Sequence, residues 1–358
     1  MDKQVLEIYS DYLISSFSYT TATGLSRLTD GLLSHDKVTR FLSNREYDSK
    51  DLWLMVKPMV RKVEREDGVI ILDDTVEEKQ YTDENDIIAY HFDHSIGRSV
   101  KGINMLSVLY NAREITIPLS FEVVKKTEIV KDKKTGKDKR ISKDTKNKIA
   151  RNMIMSCHNN QIKYQYVLGD IFFSSKENME FIKQTLKKDF IFAVKGNRLV
   201  ALSVEDKLKG IFKRVEEIEL KADTCCLVYF KGISFPTMIT KQVFTNKDES
   251  QGILYLACSD ANIDYSTFTS TYQKRWNIEE YHKSIKSNTG FSKSPTRRVI
   301  TQNNHFFASI YAYFKLELLK LKTNLNHFAM KSQLYMRALT ASYQTLRELR
   351  KINGLCVT

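Results

Sequence analysis

The feature that most constrains the fold is a run of four apolar residues, VIIL at positions 69–72, followed at once by Asp73 and Asp74. A short continuous apolar run after a turn signal, here Asp67-Gly68, is typical of a strand buried on both faces of a sheet. Such a strand belongs to a sheet that has helices packed on it. The run therefore predicts an α/β protein.

Further segments extend this sheet. Strand-like runs follow at 103–110, 115–124, 164–169 and 190–194, and helical segments lie between them. The predicted order is helices, then β-β-β-α-β-α-β, then a β-rich segment, then helices to the end. In the β-rich segment, strands are expected at 215–220, 225–230, 238–243 and 253–257. A mixed sheet covered by helices in this order is compatible with a ribonuclease-H-like fold and with several other α/β folds.

The charge of the chain favours a polyanionic partner. The formal net charge is +13, and residues 125–148 alone carry eleven Lys or Arg against four acidic residues. Nucleic acid and anionic membranes attract such proteins, while a general excess of lysine is the alternative explanation. We expect 125–148 to be an exposed loop that leads into a helix, and either contacts phosphates or is merely solvated.

The sequence also predicts a cytoplasmic protein. Its five cysteines are an odd number without a C-x-x-C pair, so reduced thiols are expected and neither a disulfide framework nor a zinc site is indicated. The N-terminus lacks the apolar core of a signal peptide, and the uncharged run at 299–314 contains too many polar residues for a transmembrane helix.

Residues 271–290, TYQKRWNIEEYHKSIKSNTG, carry four polar residues that would share one face of a continuous helix. Taking Tyr272 as the origin, Arg275, Glu279 and Lys286 project at roughly −60°, −20° and −40°. Ile278, Tyr281 and Ile285 would form an apolar side. One helix would then present a carboxylate flanked by two cations and a phenol.

Three carboxylates are candidates for a metal site. Asp73 and Asp170 each follow an apolar run, and neighbouring strands would bring them close together, which requires a cation to neutralise them. Hard oxygen ligands of this kind bind Mg²⁺ or Mn²⁺, and adding Glu279 gives enough ligands for two ions about 3.5–4 Å apart. The alternatives are that each Asp caps a turn and that Glu279 pairs with Lys283 four residues later.

The stretch at 272–286 resembles the signature of DDE transposases of the insertion-sequence-four type. That signature is Tyr, two residues, Arg, three residues, Glu, six residues, Lys, and all three spacings are intact here. Upstream, ILDDT resembles the first-Asp motif of the family and points to Asp73. VLGDIFFSS resembles the second-Asp motif and points to Asp170. The resemblance spans roughly residues 65–320.

This resemblance implies a ribonuclease-H-like core, two Mg²⁺ or Mn²⁺ ions, and cut-and-paste transposition through a DNA hairpin. Asp73, Asp170 and Glu279 would be the catalytic metal ligands. The residues implied to contact DNA are Tyr272, Arg275, Lys286 and, beside them, Lys283.

The resemblance also gives the expected regions and partners. The partners are double-stranded element ends and target DNA, with a homodimer on paired ends and no membrane, in a bacterial cytoplasm near the nucleoid. The regions are a helical N-terminal DNA-binding region (1–66), the first part of the catalytic core (67–195), a mainly β insertion (196–262), a helical completion of the core (263–322) and a C-terminal helical region (323–358).

The identity of the metal ligands stays open at two points. Asp73 and Asp74 point to opposite faces of a strand, so only one can face Asp170, and the Asp-x-Thr alignment favours Asp73. His91 and His94 are a rival metal pair without further zinc-ligand spacing.

The roles of the aromatic residues, the N-terminal region and the whole chain also have competing explanations. Trp276, rather than Tyr255, is the better candidate to accept a flipped base, and it could instead pack at the rim of the core. The first 66 residues form either a helix-turn-helix-like bundle or a helical cap. A metal-dependent nuclease and a non-catalytic DNA-binding regulator are the alternative functions.

Overall fold

The computed structural model describes residues 2–93, 96–132, 136–221, 223–245, 248–294 and 296–352. The chain forms two compact units, one of Asp48–Glu280 and one of Met1–Tyr47 with Tyr281–Thr358. Across the part of the chain that the structure describes, no helix combines the length and the apolar character needed to span a membrane. The described helices are α1 (Lys3–Ser15), α2 (Ala22–Leu28), α3 (His35–Ser43), α4 (Ser49–Val63), α5 (Lys146–Asn159), α6 (Lys176–Glu180), α7 (Val204–Lys209), α8 (Tyr265–Gln273), α9 (Trp276–Asn288), α10 (Val299–Thr323) and α11 (His327–Ile352).

All described strands lie in the unit Asp48–Glu280. They are β1 (Val69–Glu78), β2 (Ala89–Asp93), β3 (Arg98–Ala112), β4 (Ile115–Val123), β5 (Glu128–Lys131), β6 (Asp138–Ile141), β7 (Tyr166–Gly169), β8 (Asp189–Val194), β9 (Leu199–Ala201), β10 (Lys213–Arg214), β11 (Cys225–Phe230), β12 (Thr237–Thr245) and β13 (Gln251–Cys258). The main sheet has the order β10-β9-β11-β12-β13-β8-β7-β1-β3-β2, and β4 also pairs with β3. The predicted α/β class with a mixed sheet is confirmed, since β1, β7 and β8 run parallel and β1, β3 and β4 run antiparallel.

Strand β1 is longer than its apolar run predicted. The expectation that the strand ends at Asp73 is wrong, because β1 continues to Glu78. The long strand β3 pairs with every residue of β1, from Val69↔Asn111 to Glu78↔Gly102. Pairing with β7, by contrast, ends at Leu72↔Gly169.

The basic segment 125–148 is not only a loop. It contains the antiparallel pair β5–β6, which was not predicted, before Thr145 caps α5. The side chain of Arg140 lies 3.2 Å from the Asp86 carboxylate, and the N–H of Lys126 donates to the Asp86 carbonyl at 2.7 Å. These contacts hold the base of the hairpin against the segment before β2, while the described residues of β5 are exposed.

The β-rich segment after 196 continues the main sheet. Its strand β13 pairs antiparallel with β8, so β9 to β13 extend the sheet away from β1. The expectation of a strand at 215–220 is wrong. There the chain forms the two-residue strand β10 and a 3₁₀ turn, Val215–Glu217, because Glu217 folds back and its carboxylate accepts from the N–H of Arg214 at 2.9 Å.

In the unit Met1–Tyr47 with Tyr281–Thr358, α10 is the central helix. Most of its apolar residues are buried, and so is a polar run near its start. Asn304 in that run is fully buried and satisfies three backbone groups: it accepts from the N–H of Tyr47 (2.7 Å) and donates to the carbonyls of Leu42 (2.9 Å) and Arg45 (2.7 Å). This single side-chain amide therefore forms hydrogen bonds with backbone groups of the turn after α3.

Asn304→Ala is expected to destabilise the protein by about 3 kcal/mol, because it removes three hydrogen bonds to backbone groups, two of them buried. The free energy of unfolding from urea titration measures the effect. Gln333→Ala on the exposed face of α11 is the control and should change this free energy by less than about 0.5 kcal/mol. Equal, small changes in both variants would show that the amide is dispensable.

Candidate active site

The site begins where β1 and β7 stop pairing. The two strands run parallel and are neighbours, which the convergence of the two aspartates required, and their last paired residues are Leu72 and Gly169. Asp73 is the next residue of β1, and Asp170, in an extended conformation, directly follows the end of β7. Side chains one position beyond a matched pair on parallel strands project to the same face of the sheet, so the two carboxylates lie side by side.

Burial and neighbouring negative charges disfavour the ionised form of both carboxylates. Burial raises the pKa of Asp73 to about 8, and the negative charges of Asp170 and Asp74 add to this shift. The pKa of Asp170 is also raised, by burial and by the charge of Asp74. Two oxygen donors with raised pKa values are a donor set that a hard divalent cation fits, because the cation removes the repulsion.

Asp170 also caps a turn, as its alternative interpretation proposed. Its Oδ1 accepts from the N–H of Phe172 at 3.0 Å, at the start of a 3₁₀ turn, Ile171–Phe173. One carboxylate oxygen is thereby fixed by the backbone. The capping role and a ligand role are compatible, because a carboxylate has four lone-pair sites.

Asp74 has other partners. Its Oδ2 lies 2.8 Å from Nζ of Lys146, the first residue of α5, and accepts from the side-chain amide of Asn104. Since adjacent residues of a strand point to opposite faces, these contacts lie on the side of the sheet away from Asp73. The arrangement favours Asp73 over Asp74 as the partner of Asp170. Sequence reasoning missed Lys146, whose one signal was its place directly after the helix-capping Thr145.

The stretch 271–290 is not one continuous helix, and the expected common face across it is wrong. Helix α8 ends at Gln273 and α9 begins at Trp276. Between them the N–H of Arg275 donates to the carbonyl of Tyr272 at 2.9 Å, a bond of i→i+3 type that turns the chain more tightly than an α-helix.

Tyr272, at the end of α8, is buried beside the aspartates. Its hydroxyl donates to the carbonyl of Gly169 at 3.5 Å, next to Asp170, and only 8% of the residue is exposed. Burial raises the pKa of this phenol to about 12, so it stays protonated. Its ring centroid lies 5.7 Å from the guanidinium carbon of Arg275.

Glu279 is held by Arg275 and not by Lys283. The distance between Arg275 Nη2 and Glu279 Oε1 is 2.5 Å. Burial acts to lower the pKa of Arg275, but Tyr272 and the carboxylates of Glu279 and Asp73 outweigh it, and the pKa is raised. The guanidinium therefore interacts with both Glu279 and Asp73.

The structure thus brings Asp73, Asp170, Tyr272 and Arg275 together and holds Glu279 at the guanidinium. Within the described ranges, no three Asp, Glu, His or Cys side chains form a group able to hold a metal ion. Asp73 and Asp170 are oxygen donors that fit a divalent cation, while the carboxylate of Glu279 is bound to Arg275.

The remaining candidates are placed as follows. Lys283 and Lys286 lie in the second half of α9, which belongs to the other unit, where Nζ of Lys283 is 5.0 Å from the ring centroid of Phe328. Trp276 is 60% exposed, so its side chain is not packed at the rim of the core. Burial lowers the pKa of His91 to about 3, and His94 lies outside the described residues.

A family of known proteins matches more than half of this chain. The model of the DDE superfamily endonuclease family matches residues 2–206, which include β1 with Asp73 and the end of β7 with Asp170. A comparison with curated proteins found no match. Proteins of this superfamily have a ribonuclease-H-like core, and the central sheet order β4-β3-β1-β7-β8 agrees with the predicted fold class.

Asp73→Asn is expected to stabilise the metal-free protein at alkaline pH. The folded Asp73 carboxyl group has a pKa of about 8, whereas in the unfolded chain it titrates near about 3.9. Between these values the folded state binds more protons than the unfolded state, so the free energy of unfolding falls as pH rises from about 4 to about 8. The asparagine variant has no carboxyl group at this position, so its free energy of unfolding does not fall for this reason.

Thermal midpoints in EDTA from pH 4 to pH 9 measure the difference. The profile of the variant should fall less steeply than that of the wild type, while Asp83→Asn, an exposed carboxylate on the loop after β1, should follow the wild type. Parallel profiles for all three proteins would contradict the assigned environment of Asp73.

Proposed function

Because the chain belongs to the family of DDE superfamily endonucleases, we propose that it is a DNA transposase of the insertion-sequence-four type. It would cut and rejoin DNA at the ends of its own element. The observation that carries this proposal is the pairing of β1 with β7, which sets Asp73 beside Asp170 in a chain that also carries the spacing of Tyr272, Arg275, Glu279 and Lys286.

Asp73, Asp170 and Glu279 would hold two Mg²⁺ or Mn²⁺ ions. When bound, such ions stabilise the attacking and leaving oxygens of a phosphodiester displacement. The protein contributes the fixed direction of the ligands. Asp170 is fixed by its bond from Phe172, and Asp73 accepts from the N–H of Asp74 at 2.8 Å.

Arg275 would bind a DNA phosphate beside these carboxylates. A guanidinium presents five N–H donors in a planar fork, so it can keep one contact with Glu279 or release it and still bind phosphate oxygens. Tyr272 would help to position the guanidinium of Arg275, because its ring lies near that group and its hydroxyl donates to the carbonyl of Gly169. Lys286 and Lys283 would add charge along the same DNA.

The proposed reaction follows the route of the transposases that the signature resembles. Water nicks one strand, the freed 3′-hydroxyl attacks the opposite strand to form a hairpin, a second water opens it, and the ends join target DNA. A hairpin requires sharply distorted DNA, and the exposed Trp276 is the proposed aromatic acceptor for a flipped base.

DNA would be held by further basic surfaces. The hairpin β5–β6 and the exposed Lys37 and Arg40 of α3 are the proposed contacts, with a homodimer assembling on paired ends. The expected location is the bacterial cytoplasm, near the nucleoid.

The deciding experiment incubates the full chain with labelled element ends, with and without Mg²⁺. Hairpin products and joined target DNA are expected from a transposase. Nicks without joining would identify the alternative, a metal-dependent nuclease. Binding without any cleavage would identify a DNA-binding regulator.

Glu279→Gln is expected to lower the rate of end cleavage by about a thousand-fold, or about 4 kcal/mol, because a charged metal ligand is lost. The amide oxygen still accepts a hydrogen bond from Arg275, so affinity for the DNA ends should change less than twofold. Glu280→Gln, at the next and exposed position, is the matched control. Equal losses of binding and cleavage would count against the role assigned to Glu279.

Replacing Lys131, Lys139 and Lys143 with Gln is expected to weaken DNA binding for all sequences. Each lost phosphate contact should reduce the slope of log affinity against log salt by about 0.9. Fluorescence anisotropy at several salt concentrations gives this slope, and the same three residues changed to Arg should retain it. If the slope does not change, this part of the chain is only a solvated surface.

A further inference from the structure

Lys146 contacts a neighbour of each proposed metal-binding aspartate. Its Nζ lies 2.8 Å from Oδ2 of Asp74, the residue after Asp73. The same Nζ lies 4.7 Å from the ring centroid of Phe172, two residues after Asp170. One ammonium group therefore links the two chain segments that carry the aspartates.

The contact with Asp74 constrains Asp73 through the backbone. Asp74 is held by Lys146 and Asn104 on one face of β1, and its N–H donates to Oδ1 of Asp73 at 2.8 Å. With the Asp74 side chain fixed, the peptide between the two residues has a set orientation. The Asp73 carboxylate is then directed to the opposite face.

The first turn of α5 is also tied to the segment after Asp170. The Phe172 ring that Lys146 covers belongs to the residue whose N–H donates to Oδ1 of Asp170. In addition, the buried Asn178 side chain donates to Oδ1 of Asn147 at 2.8 Å and to the carbonyl of Phe173 at 2.9 Å. The first residues of helix α5 thus contact both of the chain segments that carry the two aspartates.

We propose that Lys146 is a positioning residue that sets the relative orientation of Asp73 and Asp170 for metal binding. It acts through Asp74 and Phe172 and has no contact with substrate in this role. Although Lys146 belongs to the basic segment, its side chain is only 20% exposed and its charge is paired. The inference rests on the proposed function, since it concerns the same two aspartates.

The test is a charge-neutral double variant, Lys146→Met with Asp74→Asn. It removes one cation and one anion, so the net charge beside Asp73 and Asp170 is unchanged and only the tether is lost. Asn at position 74 can still accept from Asn104. Loss of a group that orients metal ligands typically costs 10- to 100-fold in affinity or activity.

We expect Mn²⁺ binding to the full chain without DNA, measured by titration calorimetry, to weaken about tenfold in the double variant. The kcat of end cleavage should fall about 10- to 100-fold, with the affinity for DNA ends within twofold of the wild type. The single variant Lys146→Arg should retain most of the Mn²⁺ affinity and most of the kcat of the wild type, because it keeps a cation against Asp74 and Phe172.

A second ion pair of similar burial supplies the matched control. Lys183 and Asp189 are 2.6 Å apart, with side chains 33% and 23% exposed, and neither is assigned to the site. Lys183→Met with Asp189→Asn should keep Mn²⁺ affinity within twofold, even if its thermal midpoint falls. A similar loss of Mn²⁺ affinity in both double variants would show that Lys146 contributes only to general stability, and this would overturn the proposal.

Four further results would also be decisive. Lower DNA affinity with a salt slope reduced by about one would make Lys146 a phosphate contact and overturn the proposal. Full activity in Lys146→Met with none in Asp74→Asn would make Asp74 itself the ligand and also overturn it. If the wild type binds Mn²⁺ but cleaves no DNA, the proposed function fails, while the Mn²⁺ comparison still decides the role of Lys146. A wild type that binds no Mn²⁺ would refute the positioning role outright.

Discussion

The parallel pairing of β1 with β7 is the interaction on which the candidate site depends. It matches Leu72 with Gly169 and so places two carboxylates next to each other at the next position. Two adjacent carboxylates cost free energy, and burial of the apolar residues before them offsets that cost. Ile70, Ile71 and Leu168 are fully buried, and each contributes about 1.5–3 kcal/mol. The pKa values of both aspartates are raised mainly by their own burial, and the charge of Asp170 adds to the shift of Asp73.

The length of β3 gives the adjacent Asp73 and Asp74 different roles. Because β3 pairs with β1 for six residues beyond Leu72, the backbone at both aspartates stays extended and their side chains alternate between faces. One carboxylate meets Asp170, and the other meets Lys146 and Asn104 on the reverse side. A strand that ended at Asp73 would allow both side chains to reorient towards the same ions.

The sequence predicted those parts of the fold that local pattern determines. Continuous apolar runs located β1, β7 and β8. Features set by distant partners were not predictable. The extension of β1 depends on β3, and the hairpin β5–β6 lacks an apolar face.

The same distinction holds in the site. The family spacing identified the segment from Tyr272 to Glu279, but a helical projection assumed a continuous helix there. The break between α8 and α9 follows from i→i+3 bonds around Arg275, and spacing alone cannot distinguish these from i→i+4 bonds. The pairing of Glu279 with Arg275, rather than with Lys283, was missed because both partners lie four residues away.

The charges of the proposed site explain why its reaction would need both the arginine and divalent ions. Lys146 cancels Asp74, so the front of the sheet carries three carboxylates and the guanidinium of Arg275, a net charge of minus two when all are ionised. That charge repels a phosphodiester. Two divalent ions of the proposed reaction would reverse it to plus two, and Arg275 would then be free to turn from Glu279 to the DNA. The same guanidinium would thus stabilise the carboxylates before metal binding and the phosphate after it.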